Sequence, residues 1–178
     1  MSYRERVEKV EVPEVKLQAQ ADSKVEVWME AINQAKEHCE ATGVYTDGSM
    51  NEDGMVGGGW YVEGGKRLGG VILGKLAMVW DGEVCGVRGP LEDAPSETNI
   101  LILSDLQATI AAVKKASCTG KARTHDLKVV MEGIRERQAR LGPNAVLFGW
   151  VKAYNKLYSN EEADRLAKEA TNLYPEDP

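Results

Sequence analysis

The sequence predicts an α/β fold in which a mixed sheet of five strands is flanked by helices. Two observations carry this prediction. Short apolar runs broken by glycines fill the stretch from residue 42 to about residue 78, and helical periodicity dominates after it. The predicted order is three strands, a helix, a strand, two helices, a strand and a helix. Such an order is typical of a mixed sheet with helices packed on its faces.

The five strands are recognised by different patterns. "VYTDGS", "MVGGGWYVEGG" and "KRLGGVILGKLAM" are short glycine-bounded runs, which indicate an antiparallel meander. "NILILSD" is a nearly continuous apolar run, which is typical of a strand buried on both faces. "AVLFGWVKAY" predicts the last strand.

The helices follow from apolar residues at helical spacing. "DSKVEVWMEAINQAKEHCEA" places five apolar residues on one face, and "HDLKVVMEGIRERQARLG" is a second such helix that stops at Gly142 and Pro143. "DLQATIAAVKKAS" and "SNEEADRLAKEATNLY" are also helical. The segment from residue 81 to residue 91 contains Gly86, Gly89 and Pro90, which disfavour a helix, so a short or bent helix is expected there. The face of the first helix comprises Val25, Trp28, Met29, Ile32 and Ala35.

Composition limits the function classes. The 178 residues suffice for one domain, which we assign to residues 42–174, preceded by an extension with an amphipathic helix (1–41) and followed by a tail (175–178). A net charge of −6 argues against a nucleic-acid partner held by bulk charge, so such a partner must be bound by local contacts.

No apolar run approaches the ~18 residues of a membrane span, and no signal segment is visible. An intracellular protein, cytoplasmic or nuclear and without a membrane partner, is expected.

The three cysteines, Cys39, Cys85 and Cys118, form no CxxC pair. An odd number without a signal segment is typical of a reducing compartment, in which we expect them to serve as small packing residues.

Four acidic residues are candidates for a shared site. Asp47 lies in "YTDGS" and Asp105 in "NILILSD", and each is expected to end its strand, where ligands of α/β sheets tend to bind. Glu83 and Asp164 lie near the predicted starts of helices. Each acid alone also has an ordinary interpretation, such as a hairpin turn for Asp47-Gly48. If all four converge, their mutual repulsion favours divalent cations, and oxygen ligands favour Mg²⁺ or Mn²⁺ over Zn²⁺.

The order of four motifs resembles type 1 ribonuclease H. The motifs are "YTDGS", "WDGEVCGVRG", "ILILSDLQATIAAV" and "GWVKAYNKLYSNEEADRLAKEA", and together they cover about residues 42 to 174. The last motif is the most specific, because the tryptophan-valine pair and the asparagine-glutamate-x-alanine-aspartate helix keep the family's separation. The chain is similar in particular to the ribonuclease H domains of retrotransposon (non-LTR type) reverse transcriptases.

The resemblance implies the ribonuclease H-like mixed sheet, with three antiparallel strands and two parallel ones. It also implies an endonuclease that cuts the RNA strand of RNA/DNA hybrids and leaves 3′-hydroxyl and 5′-phosphate ends. Two Mg²⁺ ions, replaceable by Mn²⁺, would be held by four ligands, with Glu83 preferred to Asp81 because its glycine-glutamate pair matches the family. The ligands are Asp47, Glu83, Asp105 and Asp164; the residues expected to read the hybrid are Gly48, Ser49 and Met50.

One departure from the family pattern leaves the activity open. Tyr154 stands where the family has a histidine on a mobile loop, and a phenol with a pKa of about 10 is a poor proton carrier near pH 7. The chain is therefore either a hybrid-specific ribonuclease with reduced rate or a weakened module that binds nucleic acid or protein. Tyr154 itself either takes the catalytic position or only stacks and packs. An integrase-type strand transferase is disfavoured, because the last acid matches the aspartate of the NEEAD motif.

Two further questions concern partners. Two clusters of basic residues either form solvated faces or contact the hybrid. The rest of a reverse transcriptase polyprotein is a possible partner, and the sequence leaves the oligomeric state open. The basic groups are Lys114, Lys115, Lys121 and Arg123, and then Arg135, Arg137 and Arg140.

Overall fold

The structure, a computed structural model, describes residues 5–20, 22–63, 67–73, 79–95, 97–105, 107–152 and 158–171. Its strands and helices alternate much as the sequence predicts. The strands are β1 (Glu5–Arg6), β2 (Glu14–Val15), β3 (Ala41–Met50), β4 (Val56–Val62), β5 (Arg67–Leu73), β6 (Asn99–Ser104), β7 (Lys121–Ala122) and β8 (Val146–Trp150). The helices are α1 (Val25–Cys39), α2 (Val79–Asp93), α3 (Gln107–Thr119), α4 (His125–Leu141) and α5 (Tyr158–Thr171).

The main sheet has the order β2-β8-β6-β3-β4-β5. Strands β3, β4 and β5 form the predicted antiparallel meander, and β6 and β8 continue the sheet in parallel with β3. The prediction of a mixed five-stranded sheet flanked by helices is confirmed. The N-terminal segment adds to it, because β2 pairs in parallel with β8, and β1 pairs with β7 in a separate two-stranded ribbon.

Strand β6 forms the centre of the core, and its side chains alternate between two hydrophobic clusters. Ile100 and Ile102 pack in the cluster covered by α3 and α4, whereas Leu101 and Leu103 pack in the cluster covered by α1. All four side chains are fully buried. The apolar run therefore predicts a strand buried on both faces correctly.

Helix α1 packs on the sheet through a face that differs slightly from the predicted one. Trp28, Ala31 and Ile32 are buried, but Met29 is 51% exposed, so its assignment to the buried face is wrong. The reason is angular: Met29 follows Trp28 by 100° around the helix, and the contact surface is centred on Trp28 and Ile32.

Asp47 does not form a hairpin turn, and it does not end its strand. It lies inside β3, paired with Gly59, and the strand continues for three residues after it. The turn is made by Asn51, whose Oδ1 accepts hydrogen bonds from the backbone N–H groups of Asp53 and Met55, with Gly54 at φ 81°. Asp47 does lie beyond the last parallel pair with β6, which joins Tyr45 to Leu103.

Helix α2 is not short, because it extends over 15 residues despite its glycines and Pro90. These glycines allow the helix to approach strand β4 closely. A Cβ atom on Gly89 would lie 2.5 Å from the ring of Trp60, and one on Gly82 would lie 2.6 Å from the Gly57 carbonyl oxygen. Burial of the helix against the sheet therefore outweighs its poor intrinsic propensity.

All three cysteines are free, and they differ in burial. Cys85 is a buried packing residue whose thiol pKa is raised to about 12, mainly by burial. Cys118 is exposed, so the packing prediction is wrong for it, because it lies on the outer face of α3. Among the described helices, none combines the length and the apolar character that a membrane span requires.

Candidate active site

Three of the predicted acids lie close together near the carboxyl ends of the central strands β3 and β6. Asp47 comes from β3, Glu83 from the first half of α2, and Asp105 follows β6 directly. One carboxylate oxygen from each lies within 4.8 Å of one from each of the other two. Asp47 and Glu83 are buried, and Asp105 is half-buried. The parallel pairing of β3 with β6 and the close packing of α2 thus bring together residues that are up to 58 positions apart in sequence.

The pKa of the Asp47 carboxyl is raised to about 10 in the absence of a cation. Burial is the largest cause, followed by the charge of Glu83, a hydrogen bond with Asp164 and the charge of Asp105. The backbone N–H of Gly48 donates to Asp47 Oδ1 at 2.9 Å, yet this single donor does not offset the repulsion. The cluster therefore holds a proton at neutral pH.

Burial also raises the pKa of Glu83, to about 7. Hydrogen bonds with Asp47, the Gly48 backbone and Ser104 oppose this rise by stabilising the carboxylate. The Oε2 atom of Glu83 is nevertheless buried without a hydrogen-bond partner among the described residues. A buried carboxylate oxygen without a donor is costly, and a cation would satisfy it.

Asp164 lies beside the cluster. It is hydrogen-bonded to Asp47 but is not among the three acids whose oxygens all lie within 4.8 Å of one another. Its Oδ2 atom forms an ion pair at 2.9 Å with Nζ of Lys168, which lies one helical turn later on α5. The structure therefore places Asp164 beside the other three acids, but its carboxylate is paired with the ammonium group of Lys168.

Three contributors to the site escaped the sequence analysis as functional residues. Ser104 precedes Asp105 and is hydrogen-bonded to Glu83, and its signal was a polar residue ending an apolar strand. Lys168 was detectable through its i,i+4 spacing from Asp164. Trp150 donates its indole N–H to the backbone carbonyl of Asp105 at 3.1 Å, a contact for which the sequence carries no signal.

The residues predicted to read the hybrid lie at the end of β3. Gly48 uses its backbone N–H on Asp47, as described above. Ser49 and Met50 line a cleft of about 430 Å³ together with the turn at residues 51–53, Lys168 and Thr171. Tyr154 lies outside the described residues, as does the predicted tail, 175–178.

Two of the predicted basic residues form ion pairs with the N-terminal segment, and a third is buried. Lys114 pairs with Glu14 at 2.7 Å, and Arg135 pairs with Glu8 at 2.7 Å. Arg137 is 2% exposed, and its Nη2 donates to the carbonyl oxygens of Pro95 and Thr98. Arg137 is therefore an internal support of the loop before β6, and its interpretation as a solvated or hybrid-contacting residue is wrong.

A comparison with models of known protein families identifies the family of this chain. The RNase H model matches residues 39–172, which is most of the chain and includes all four predicted acids. The chain belongs to the RNase H family. Membership confirms the resemblance to type 1 ribonuclease H and supports a nuclease at the level of the family. No curated protein is significantly similar in sequence to this chain.

The acids of this RNase H domain fit the divalent cations that the family uses. Their carboxylates are hard oxygen donors, which favour Mg²⁺ or Mn²⁺. The raised pKa of Asp47 and the orphaned Oε2 of Glu83 are both costs that a bound cation removes. Asp47, Glu83 and Asp105 are the described residues placed to hold a cation.

Proposed function

We propose that the protein is a ribonuclease H that hydrolyses the RNA strand of RNA/DNA hybrids. The observation that carries this proposal is the convergence of Asp47, Glu83 and Asp105 within 4.8 Å in a chain of the RNase H family. In the reaction, the oxygen of a water molecule bonds to phosphorus and the bond from phosphorus to the 3′ oxygen breaks. The products are a 3′-hydroxyl end and a 5′-phosphate end.

The chain contributes a cluster of carboxyl groups near the end of β6. Two Mg²⁺ ions, or Mn²⁺ in their place, would supply activation of water and stabilisation of the leaving oxygen when bound. Asp47, Glu83 and Asp105 are proposed to hold the ions, with Asp164 as a fourth ligand once it exchanges Lys168 for a cation. Gly48 orients the Asp47 carboxylate through its backbone N–H.

The cleft beside the acids supports a substrate surface. Ser49, Met50 and Lys168 line this cleft, and the side chain of Lys168 is 64% exposed. We propose that the hybrid backbone passes here and that the 2′-hydroxyl groups of RNA are read across the minor groove by residues 48–50. The catalytic role of Tyr154 and the reverse transcriptase context both stay predictions.

Cleavage of an end-labelled hybrid tests the proposal. The hybrid is incubated with Mg²⁺ and separately with Mn²⁺, beside single-stranded RNA, duplex RNA and duplex DNA. We expect the hybrid alone to be cut and Asp105→Asn to lose the activity. A folded protein that binds hybrid but does not cut it with either metal would overturn the nuclease and leave a binding module.

A further inference from the structure

Helix α1 connects to the candidate active site through two tryptophans. Trp28 of α1 is 1% exposed and meets Trp150 edge to face, with ring centroids 5.7 Å apart and planes at 79°. Trp150 in turn donates its indole N–H to the Asp105 carbonyl oxygen at 3.1 Å. An unbroken series of contacts therefore joins α1 to the residue that follows β6.

The buried face of the same helix shares a hydrophobic cluster with residues close to three of the four acids. Its buried face packs in a hydrophobic cluster that also contains Tyr45, Leu103 and Ala163. Tyr45 precedes Asp47 by two residues, Leu103 precedes Asp105 by two, and Ala163 directly precedes Asp164. The cluster thus supports the backbone next to each of these acids.

Asp105 needs such support because it lies just beyond the sheet. The last pair between β6 and β8 joins Ser104 to Trp150, so Asp105 follows the end of the register. The indole hydrogen bond fixes its carbonyl group, and the edge-to-face contact fixes the indole, since aromatic pairs prefer this geometry. Helix α1 ends at Cys39, the first residue matched by the family model, so this support comes from outside the main body of the family match.

We propose that Trp28 is a positioning residue, which holds Trp150 and through it the backbone of Asp105 in the geometry that binds the cation. The inference rests on the proposed function for the role of Asp105 as a ligand. The contact between the two indoles and the carbonyl does not depend on that role, so the two ideas can fail separately.

The first measurement is the solvent protection of the Trp150 indole N–H in protein labelled with ¹⁵N-tryptophan and freed of metal. Trp150→Phe identifies its signal among those of the four tryptophans. We expect slow hydrogen exchange in the wild type and in Trp28→Phe, which keeps an aromatic ring, and exchange at least tenfold faster in Trp28→Leu. Ile32→Ala is the matched control, because it removes buried volume from the same helix and leaves both indoles in place. Equal exchange in Trp28→Leu and the wild type would overturn the inference, as would equal acceleration by Ile32→Ala.

The second measurement is Mn²⁺ affinity, read from the electron paramagnetic resonance signal of free Mn²⁺. We expect Trp28→Leu and Trp150→Phe to bind about tenfold more weakly than the wild type, and Trp28→Phe and Ile32→Ala to stay within about twofold. Trp150→Phe keeps an aromatic ring but loses the indole N–H donor and part of the ring volume, so it tests the relay if Trp28→Leu fails to fold. Wild-type affinity in Trp150→Phe would overturn the inference. A wild type that neither binds Mn²⁺ nor cuts hybrid, yet shows the expected exchange pattern, would overturn the proposed function and the cation-binding role, and would leave the positioning of Asp105.

Discussion

Gly58 in β4 and Gly82 in α2 lie so close together that a Cβ atom on Gly58 would be 2.4 Å from the Gly82 carbonyl oxygen. On the opposite face of β4, a Cβ atom on Gly59 would be 2.4 Å from the backbone nitrogen of Ala167 in α5. Helix α2 carries Glu83, and α5 carries Asp164. The glycines of one strand therefore set how closely two acid-bearing helices approach the sheet.

We expect Gly58→Ala to weaken both the fold and the cation site. The clash is with backbone atoms, which cannot rotate away, so α2 must shift and carry Glu83 with it. We expect a loss of about 1–3 kcal/mol in the free energy of unfolding and weaker Mn²⁺ binding. Urea denaturation and Mn²⁺ titration measure the two effects.

Gly133→Ala is the control for Gly58→Ala. A Cβ atom there would meet Leu91 Cδ1 at 3.2 Å, which is the end of a flexible side chain. Alanine is also the better helix former by up to about 1 kcal/mol, so we expect no loss of stability and unchanged Mn²⁺ binding. Equal stability and affinity in Gly58→Ala and the wild type would contradict the packing argument.

The glycines also show where prediction from sequence reached its limit. The strand pattern around Trp60 and the apolar run of β6 predict the sheet correctly, because period and apolar content are local properties. The glycines of α2 read locally as helix breakers, and their use as contact points with β4 depends on a strand more than 20 residues earlier. The same limit explains Asp47-Gly48, whose local pattern fits a turn, whereas Asn51 makes the turn.

We expect Lys168→Met to strengthen Mn²⁺ binding. The ammonium group pairs with Asp164 at 2.9 Å, and a cation at the cluster must compete with it for that carboxylate. Exposed helical ion pairs contribute about 0.3–0.5 kcal/mol, so the expected gain in affinity is about twofold at low salt. Arg165→Met is the matched control, because Arg165 pairs with Glu162 and Glu169 on the same helix. Weaker binding in Lys168→Met than in Arg165→Met would show that Lys168 does not compete with the cation.

We expect Asp47→Asn to stabilise the metal-free protein. The pKa of Asp47 rises from 3.8 to about 10 on folding, so between these values the folded protein holds a proton that the unfolded chain has released. The stability of the wild type therefore falls as the pH rises through this window. Asparagine carries no such proton, and one pKa unit corresponds to about 1.4 kcal/mol, so we expect a gain of at least about 1 kcal/mol at pH 8.

Thermal unfolding in EDTA at pH 5 and pH 8 measures this effect. The expected rise in melting temperature for Asp47→Asn at pH 8 is at least about 2–4 °C, with a smaller rise at pH 5. Identical melting temperatures at pH 8 would contradict the buried charge repulsion. In that case, the charge of Asp47 would not destabilise the metal-free protein.

The candidate site was predictable to the extent that it follows from motifs. The order of Asp47, Glu83, Asp105 and Asp164 in family motifs identified the acids, and the structure brings the first three together. The contacts that hold these acids in place were not predictable from the sequence. Trp28 and Trp150 are 122 residues apart and meet only through the packing of α1. The N-terminal acids that pair with Lys114 and Arg135 were hidden for the same reason.

We expect Mn²⁺ affinity to increase with pH. The metal-free cluster holds a proton because the pKa values of Asp47 and Glu83 are raised to about 10 and about 7, and a bound cation requires the carboxylates to be ionised. Release of one proton per binding event corresponds to an increase of about tenfold in affinity per pH unit between pH 6 and pH 8. Calorimetry in two buffers of different ionisation enthalpy counts the protons directly. Asp105→Asn serves as the control for Mn²⁺ binding at other places on the protein. An Mn²⁺ affinity that stays constant between pH 6 and pH 8 would contradict a shared proton in the cluster.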